Sequence, residues 1–173
     1  MNLVLIGYMG SGKSAVGRAL AQTLDFQFND LDQLIEQSER QTIAGIFQTK
    51  GEIYFRKKEA EAIRDVLSKN KKLILATGGG TPCYGNTMDF LLQQPDVSTI
   101  YLKTSLEVLT GRLFIEKESR PLIAHLKSTE DLNDFIRKHL FERTAVYERA
   151  NEIVTTDGLE VTEIVREIIA RLF

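Results

Sequence analysis

A glycine-rich stretch near the amino terminus, GYMGSGKS, has the residue types of a loop that binds an anion. Gly7, Gly12, Lys13 and Ser14 match the pattern G-x-x-x-x-G-K-[ST], between an apolar run and a helical pattern. Glycines let successive backbone N–H groups curve around an anion, and the following helix adds its positive end. Lys13 is expected to reach the β- and γ-phosphates, and the Ser14 hydroxyl to bind Mg²⁺. The stretch predicts a nucleoside triphosphate site but not what receives the phosphate, or whether a transfer takes place.

Two carboxylates, Asp30 and Asp32, stand at the end of the second apolar run. Residues two apart in an extended chain point the same way, and ligands of an open α/β sheet bind at the carboxyl ends of its strands. At that edge the pair could serve a metal ion and a hydroxyl nucleophile. The alternative is that one of them only caps the following helix.

A second glycine cluster, Gly78 to Gly80, ends the apolar run Leu73–Ala76. Consecutive glycines increase the chain entropy that is lost on folding, so they are expected where a ligand approaches the backbone closely. A plain loop is the alternative.

Three arginines farther along the chain could bind an anionic group: Arg56, Arg120 and Arg143. Arg56 falls in a helical pattern with Glu59 three residues on, a spacing that also suits an ordinary surface ion pair. Arg120 lies in the polar stretch KESRPL, and Arg143 in FERTAVYERA. A planar guanidinium suits a carboxylate or a phosphate, so together they predict recognition of an acid.

The elements that would position these residues alternate between short apolar runs and amphipathic patterns. This alternation predicts an α/β fold of three layers, α/β/α, around a parallel sheet. The predicted strands are Leu3–Ile6, Gln27–Asp30, Leu73–Ala76, Thr99–Leu102 and Glu152–Thr155. The predicted helices are Lys13–Leu24, Leu31–Lys69 with breaks near Arg40 and Gly51, Met88–Gln94, Leu106–Phe114, Leu132–Arg149 and Val161–Leu172. A polar segment at about 114–128 predicts a mobile lid within a single domain, 1–173.

Composition and charge narrow the class of protein. The chain has 173 residues and a net charge of −2, which argues against a general nucleic-acid binder. Its one cysteine, Cys83, has no internal disulfide partner, which favours a reducing compartment. No apolar run approaches the roughly 20 residues of a membrane span, and the start of the chain does not resemble a signal peptide. We expect a cytoplasmic protein with no membrane or nucleic-acid partner and, without an evident dimerisation stripe, a monomer.

Taken in order and at their intervals, the stretches GYMGSGKS, FNDLD, GEIYFR, ATGGG, SRPL and FERTAVYERA resemble the shikimate kinase family. The resemblance covers residues 2 to about 150. It implies a P-loop NTPase fold with a five-stranded parallel sheet. It also implies transfer of the ATP γ-phosphoryl group to the 3-hydroxyl of shikimate, with Mg²⁺ as cofactor, in aromatic amino-acid biosynthesis.

The resemblance implies roles for individual residues as well. Lys13, Asp32 and Arg120 would be catalytic, with Asp32 as the base for the attacking hydroxyl and Arg120 brought in by the lid. Glu59 would orient Arg56. The residues implied for ATP are Gly10, Ser11, Gly12, Lys13, Ser14, Ala15, Arg112 against the adenine, and Arg120. Those implied for shikimate are Asp32, Arg56, Gly78, Gly79, Gly80 and Arg143, and those for Mg²⁺ are Ser14 and, through water, Asp30.

Some alternatives stay open at this point. After the last strand the chain has TTDGLE, where members of the family often carry an arginine or proline beside the adenine. This wall of the adenine site therefore differs from the family pattern. Two other functions fit a P-loop: another small kinase, such as a gluconate or nucleoside monophosphate kinase, and a nucleotide-binding regulatory module without catalysis. Asp32 with Arg56 and Arg143 favours a hydroxylated carboxylate as acceptor. Gluconate is also a hydroxylated carboxylate, so only the order of the motifs favours shikimate over gluconate as the acceptor.

Overall fold

The computed structural model describes residues 1–173, and its strands form one parallel sheet. The strands are β1 Asn2–Ile6, β2 Gln27–Asp30, β3 Leu73–Ala76, β4 Val97–Lys103 and β5 Glu152–Thr155. Their order across the sheet is β2-β3-β1-β4-β5, and every neighbouring pair is parallel. The predicted five-stranded parallel sheet is confirmed. Its middle strand, β1, leads directly into the glycine-rich loop.

Seven α-helices connect and cover the strands. They are α1 Lys13–Leu24, α2 Leu31–Glu39, α3 Ile43–Lys69, α4 Thr87–Gln93, α5 Leu106–Glu116, α6 Thr129–Tyr147 and α7 Val161–Leu172. The two predicted breaks are confirmed: Arg40 ends α2 in a left-handed conformation, and Gly51 interrupts α3 with φ 81°. None of the helices combines the length and the apolar content that crossing a bilayer requires.

Each face of the sheet has its own core, because alternate residues of a strand point to opposite sides. Val4 and Ile6 of β1 join a core that is covered by helices α2 to α6. Leu3 and Leu5 join a second core beneath α1 and α7. All four side chains are fully buried, which explains why this strand is a continuous apolar run and confirms the three layers.

The polar segment between α5 and α6 packs against the core more closely than its composition predicts. A short 3₁₀ turn covers Lys117–Ser119, and beyond it Ile123 is fully buried in the larger core. Helix α6 begins at Thr129, earlier than predicted, because Ser128 caps it: the Ser128 Oγ accepts a hydrogen bond from the Asp131 N–H at 3.0 Å. Ile123 thus anchors the segment to the core. The motion of the segment as a lid stays a prediction.

Candidate active site

A cavity of about 540 Å³ lies at the carboxyl edge of the sheet, beside the middle strand. Twelve of the residues predicted to form the site line it. They are Gly10, Ser11, Gly12, Lys13, Ser14, Ala15, Asp30, Asp32, Gly78, Gly79, Arg112 and Arg120. The other three, Arg56, Gly80 and Arg143, lie outside this lining and belong to a second cluster next to it.

The glycine-rich loop is held in an anion-binding shape by its own backbone. Gly10 and Gly12 have φ of 80° and 92°, values that residues with a Cβ rarely adopt, and α1 begins directly after Gly12. Lys13 Nζ donates hydrogen bonds to the carbonyl oxygens of Gly7 at 2.8 Å and Tyr8 at 2.9 Å. Burial lowers the pKa of Lys13 to about 8, against the opposing effect of the Asp32 charge. The ammonium group is thus placed under the loop, next to the cavity.

Asp30 both caps a helix and contacts the loop. Its Oδ1 accepts a hydrogen bond from the Asp32 N–H at 3.1 Å as the N-cap of α2, and its Oδ2 accepts one from Ser14 Oγ at 2.8 Å. Asp30 therefore caps α2, as the alternative states. It also contacts Ser14, so capping does not exclude a role of this carboxylate at a metal ion. The prediction that Asp30 and Asp32 align through extended geometry is wrong, because Asp32 lies in the first turn of α2. Both nevertheless line the cavity.

Asp32 has the environment of a base that works near neutral pH. Burial raises its pKa to about 6, and the charge of Asp30 adds to the effect, whereas Lys13 opposes it. Its Oδ1 would lie 3.3 Å from a Cβ at Gly78, so this carboxylate faces the glycine triplet. A carboxyl group in this pKa range can accept a proton from a hydroxyl held against it.

The protein's own groups leave no room for side chains at two positions of the glycine triplet. A Cβ at Gly79 would lie 3.2 Å from the backbone nitrogen of Met9, and one at Gly80 would lie 2.9 Å from Arg56 Nη2. A side chain at either position would push against the loop or the guanidinium. These contacts account for Gly79 and Gly80 without a ligand, so the close approach of a ligand to the triplet stays a prediction.

Arg56 belongs to a buried ion pair and not to an ordinary surface pair. Glu59 is 3% exposed, and its Oε2 lies 2.6 Å from Arg56 Nη1. The other Glu59 oxygen, Oε1, accepts a hydrogen bond from Thr81 Oγ1 at 2.5 Å. Glu59 thus orients the Arg56 guanidinium through an ion pair. A hydrogen bond from Thr81, in the loop after β3, holds Glu59 in place.

Arg143 reaches the same region from α6. Its guanidinium carbon lies 5.7 Å from the centre of the Tyr8 ring, and none of the chain's ion pairs includes it. One turn later Tyr147 donates a hydrogen bond to the Gly79 carbonyl oxygen at 2.5 Å. Cys83 lies near both arginines: burial raises the pKa of its thiol, and the charges of Arg143 and Arg56 oppose that effect. Arg56 therefore packs on one end of the glycine triplet, and α6, which carries Arg143, contacts the middle residue of the triplet through Tyr147.

Two further features of this site were not among the predicted site residues. The Tyr8 hydroxyl and His139 Nδ1 lie 3.1 Å apart and form a hydrogen bond that ties the glycine-rich loop to α6. Leu159, Val161 and Ile164, in the segment that follows β5, line the cavity. Leu159 falls in TTDGLE, the stretch that the resemblance places beside the adenine, and Val161 and Ile164 follow that stretch.

The remaining predicted residues, Arg112 and Arg120, extend from α5 and the turn after it. Arg112 Nη1 donates to the Gly10 carbonyl oxygen at 3.1 Å, so this arginine packs on the loop. Arg120 Nη2 lies 2.6 Å from Glu116 Oε2, and both of these side chains line the cavity. The positive charge of Arg120 contributes to the lowered pKa of Lys13, and both side chains line the same cavity.

The oxygen groups beside the loop suit Mg²⁺. Ser14 Oγ and the Asp30 carboxylate are hard ligands, and they lie together at the edge of the cavity. No group of three or more His, Cys, Asp or Glu side chains could hold a metal elsewhere in the chain. Mg²⁺ is commonly held by one or two protein oxygens together with substrate phosphates and water, so the donor set fits this ion.

Comparison with known proteins agrees with this geometry. The family model for shikimate kinase matches residues 9–173. The chain belongs to the shikimate kinase family. A shikimate kinase from Flavobacterium psychrophilum is 42% identical over 171 residues, which are 99% of this chain and 98% of the relative.

Two solved shikimate kinase structures have the same fold. The enzyme from Bacteroides thetaiotaomicron superposes with a TM-score of 0.91 at 33% identity, covering 99% of this chain and 98% of that one. The enzyme from Acinetobacter baumannii, in complex with shikimate, has a TM-score of 0.86 at 33% identity, covering 99% and 92%. As a member of the shikimate kinase family, the chain is an ATP-dependent kinase with an alcohol acceptor and Mg²⁺ as the usual metal. The motif order that favours shikimate over gluconate is thus confirmed, and the regulatory-module alternative is wrong.

Proposed function

We propose that the chain transfers the γ-phosphoryl group of ATP to the 3-hydroxyl of shikimate, giving shikimate 3-phosphate and ADP. One observation carries the proposal: a carboxylate base and an arginine lie at the two ends of one glycine triplet. Asp32 faces Gly78, and Arg56 packs on Gly80. A ring acid with several hydroxyls needs both an acceptor for hydroxyl protons and a cation for its carboxylate, with little bulk between them.

The nucleotide half of the reaction depends on the loop. Lys13 would exchange its contacts with the Gly7 and Tyr8 carbonyl oxygens for the β- and γ-phosphate oxygens. Ser14, and Asp30 through water, would hold Mg²⁺, which would neutralise charge on the phosphates. Arg120 would leave Glu116 for the transferring group, and the segment that carries it would exclude water as a competing acceptor.

The acceptor half of the reaction depends on Asp32 and the two arginines. Asp32 would accept the proton of the 3-hydroxyl as the oxygen attacks the γ-phosphorus, and a second ring hydroxyl would fix which oxygen faces the phosphate. Arg56 and Arg143 would bind the carboxylate, with the backbone of Gly79 and Gly80 along the ring. Phosphoryl transfer needs little covalent help from a protein, so positioning and charge account for most of this catalysis.

The adenine would lie between Arg112 and the segment after β5. Arg112 packs on the loop at Gly10, and Leu159 and Val161 offer apolar surface in the same cavity. A planar base can pack between a guanidinium and aliphatic side chains, so this wall needs neither the arginine nor the proline that relatives often carry there. We also propose that the single domain acts as a monomer in the cytoplasm, and light scattering on the purified chain tests the first point.

A coupled assay of ADP release with shikimate, gluconate and CMP tests the proposed activity. We expect Mg²⁺- and ATP-dependent turnover with shikimate alone, and none in Lys13→Ala, which should remain folded. Turnover with gluconate or CMP instead of shikimate would overturn the substrate assignment. Substantial turnover by Lys13→Ala would overturn the role of that lysine.

A further inference from the structure

Tyr84, just beyond the glycine triplet, covers the guanidinium of Arg56. The guanidinium carbon lies 3.8 Å from the centre of the Tyr84 ring, closer than in any other cation–aromatic contact of the chain. Tyr84 is 39% exposed and follows the 3₁₀ turn Thr81–Cys83. A large aromatic ring at the surface, placed against a charged group, needs an explanation beyond core packing.

The other sides of this guanidinium are also occupied. Gly80 lies so close that an added Cβ would be 2.9 Å from Nη2, and Glu59 holds Nη1 at 2.6 Å. The Nε atom is shielded from solvent and makes no hydrogen bond, since Glu52 lies 3.5 Å from it without hydrogen-bond geometry. The guanidinium is therefore oriented by Glu59, Gly80 and the Tyr84 ring, and Nε still lacks an acceptor.

We propose that Tyr84 is a positioning residue for the substrate carboxylate: its ring holds the Arg56 guanidinium against Gly80, so that the donors not used by Glu59 face the acid. The inference rests on the proposed function, since it assigns Arg56 to the carboxylate. A ring face attracts a cation through its quadrupole and restricts the arginine's rotamers. The Tyr84 hydroxyl is in none of the hydrogen bonds that the chain's tyrosine hydroxyls form, so the ring alone accounts for the effect.

Steady-state kinetics of Tyr84→Ala and Tyr84→Phe test this role. For Tyr84→Ala we expect the KM for shikimate to rise about two- to fivefold, the scale of an exposed cation–π contact, with kcat and the KM for ATP unchanged. Tyr84→Phe keeps the ring and should match the parent protein. Phe90→Leu is a matched control, because it removes an arginine–aromatic contact with Arg64 at 4.5 Å that is outside the site.

A double-mutant cycle shows whether Tyr84 acts through Arg56. In an Arg56→Ala background, Tyr84→Ala should cause no further loss of shikimate affinity, measured by calorimetry. An undiminished loss in that background, or a Tyr84→Phe variant as impaired as Tyr84→Ala, would overturn the inference. An unchanged KM for shikimate in Tyr84→Ala, with a parent protein that turns over shikimate, would also overturn the inference. The proposed function would then stand. A parent protein that neither binds nor phosphorylates shikimate would overturn both.

Discussion

Glu59 joins Arg56 to Thr81. One carboxylate oxygen of Glu59 lies 2.6 Å from Arg56 Nη1, and the other accepts the Thr81 hydroxyl at 2.5 Å. Glu59 is 3% exposed and belongs to α3, whereas Thr81 belongs to the loop after β3. The direction of a proposed substrate arginine is thus set by a buried carboxylate that does not itself line the cavity.

Glu59→Gln should weaken shikimate binding and leave ATP binding unchanged. The substitution keeps the side-chain volume and removes the charge that orients Arg56, and hydrogen bonds to charged groups contribute about 1.5–3 kcal/mol. We expect the Kd for shikimate, measured by calorimetry, to rise about 10- to 150-fold. Glu52→Gln is the control, because that carboxylate is half-exposed, lies 3.5 Å from Arg56 Nε and should contribute less than about 1 kcal/mol. Equal losses in the two variants would contradict the role of Glu59.

The order of elements and the loop motif could be read from the sequence because each depends on local pattern. β2, β3, β5, α1 and α7 have the predicted bounds, and for β3, α1 and α7 an apolar run or an amphipathic period identifies them. The relation between Asp30 and Asp32 could not be read correctly, because the strand ends at Asp30 and the helix begins at once. A boundary of this kind depends on a cap and not on periodicity.

Contacts between segments that are distant in the sequence could not be predicted either. The three-residue spacing of Arg56 and Glu59 predicts their pairing, but nothing local indicates that Thr81 completes the contact. The burial of Ile123 inside a polar segment is likewise determined by the core it meets, and its own neighbours do not indicate it. The family resemblance could name site residues, whereas the placement of Tyr84 on Arg56 required the structure.

Asp32→Asn should lower turnover and at the same time stabilise the fold at neutral pH. The folded-state pKa of Asp32 is raised from 3.8 to about 6, chiefly by burial, so ionised Asp32 costs stability at any pH above about 6. The cost is at most about 3 kcal/mol, and it disappears as the pH falls through 6 toward 3.8. Thermal unfolding should show a Tm several degrees higher for the variant at pH 7.5 and a smaller difference at pH 5. Asp134→Asn, at an exposed position, should show neither effect. A Tm gain that is the same at both pH values would contradict the assigned cause.

Arg143→Ala should weaken binding of the acid with little structural cost. Arg143 is in no ion pair, so its removal leaves no carboxylate buried without a partner. We expect a loss of about 1.5–3 kcal/mol in shikimate binding, measured by calorimetry. Arg137→Ala, on the same helix and 64% exposed, is the matched control. The methyl ester of shikimate should bind the parent protein and Arg143→Ala alike, and a further large loss with the ester would contradict recognition of the carboxylate.

Arg120→Ala should reduce kcat far more than it weakens ATP binding. Arg120 is paired with Glu116 at the rim of the cavity, so this arginine has to leave its partner to reach a transferring phosphoryl group. A contact made only in the transition state affects kcat, and the loss of such a charged donor costs about 100- to 1,000-fold. Glu116→Gln, which only weakens a half-exposed pair, should change kcat by a few-fold at most. Single-turnover kinetics with saturating ATP separate the chemical step from binding. If Arg120→Ala instead raises the Kd for ATP and leaves kcat intact, this arginine binds the nucleotide in the ground state and has no special role in the transfer.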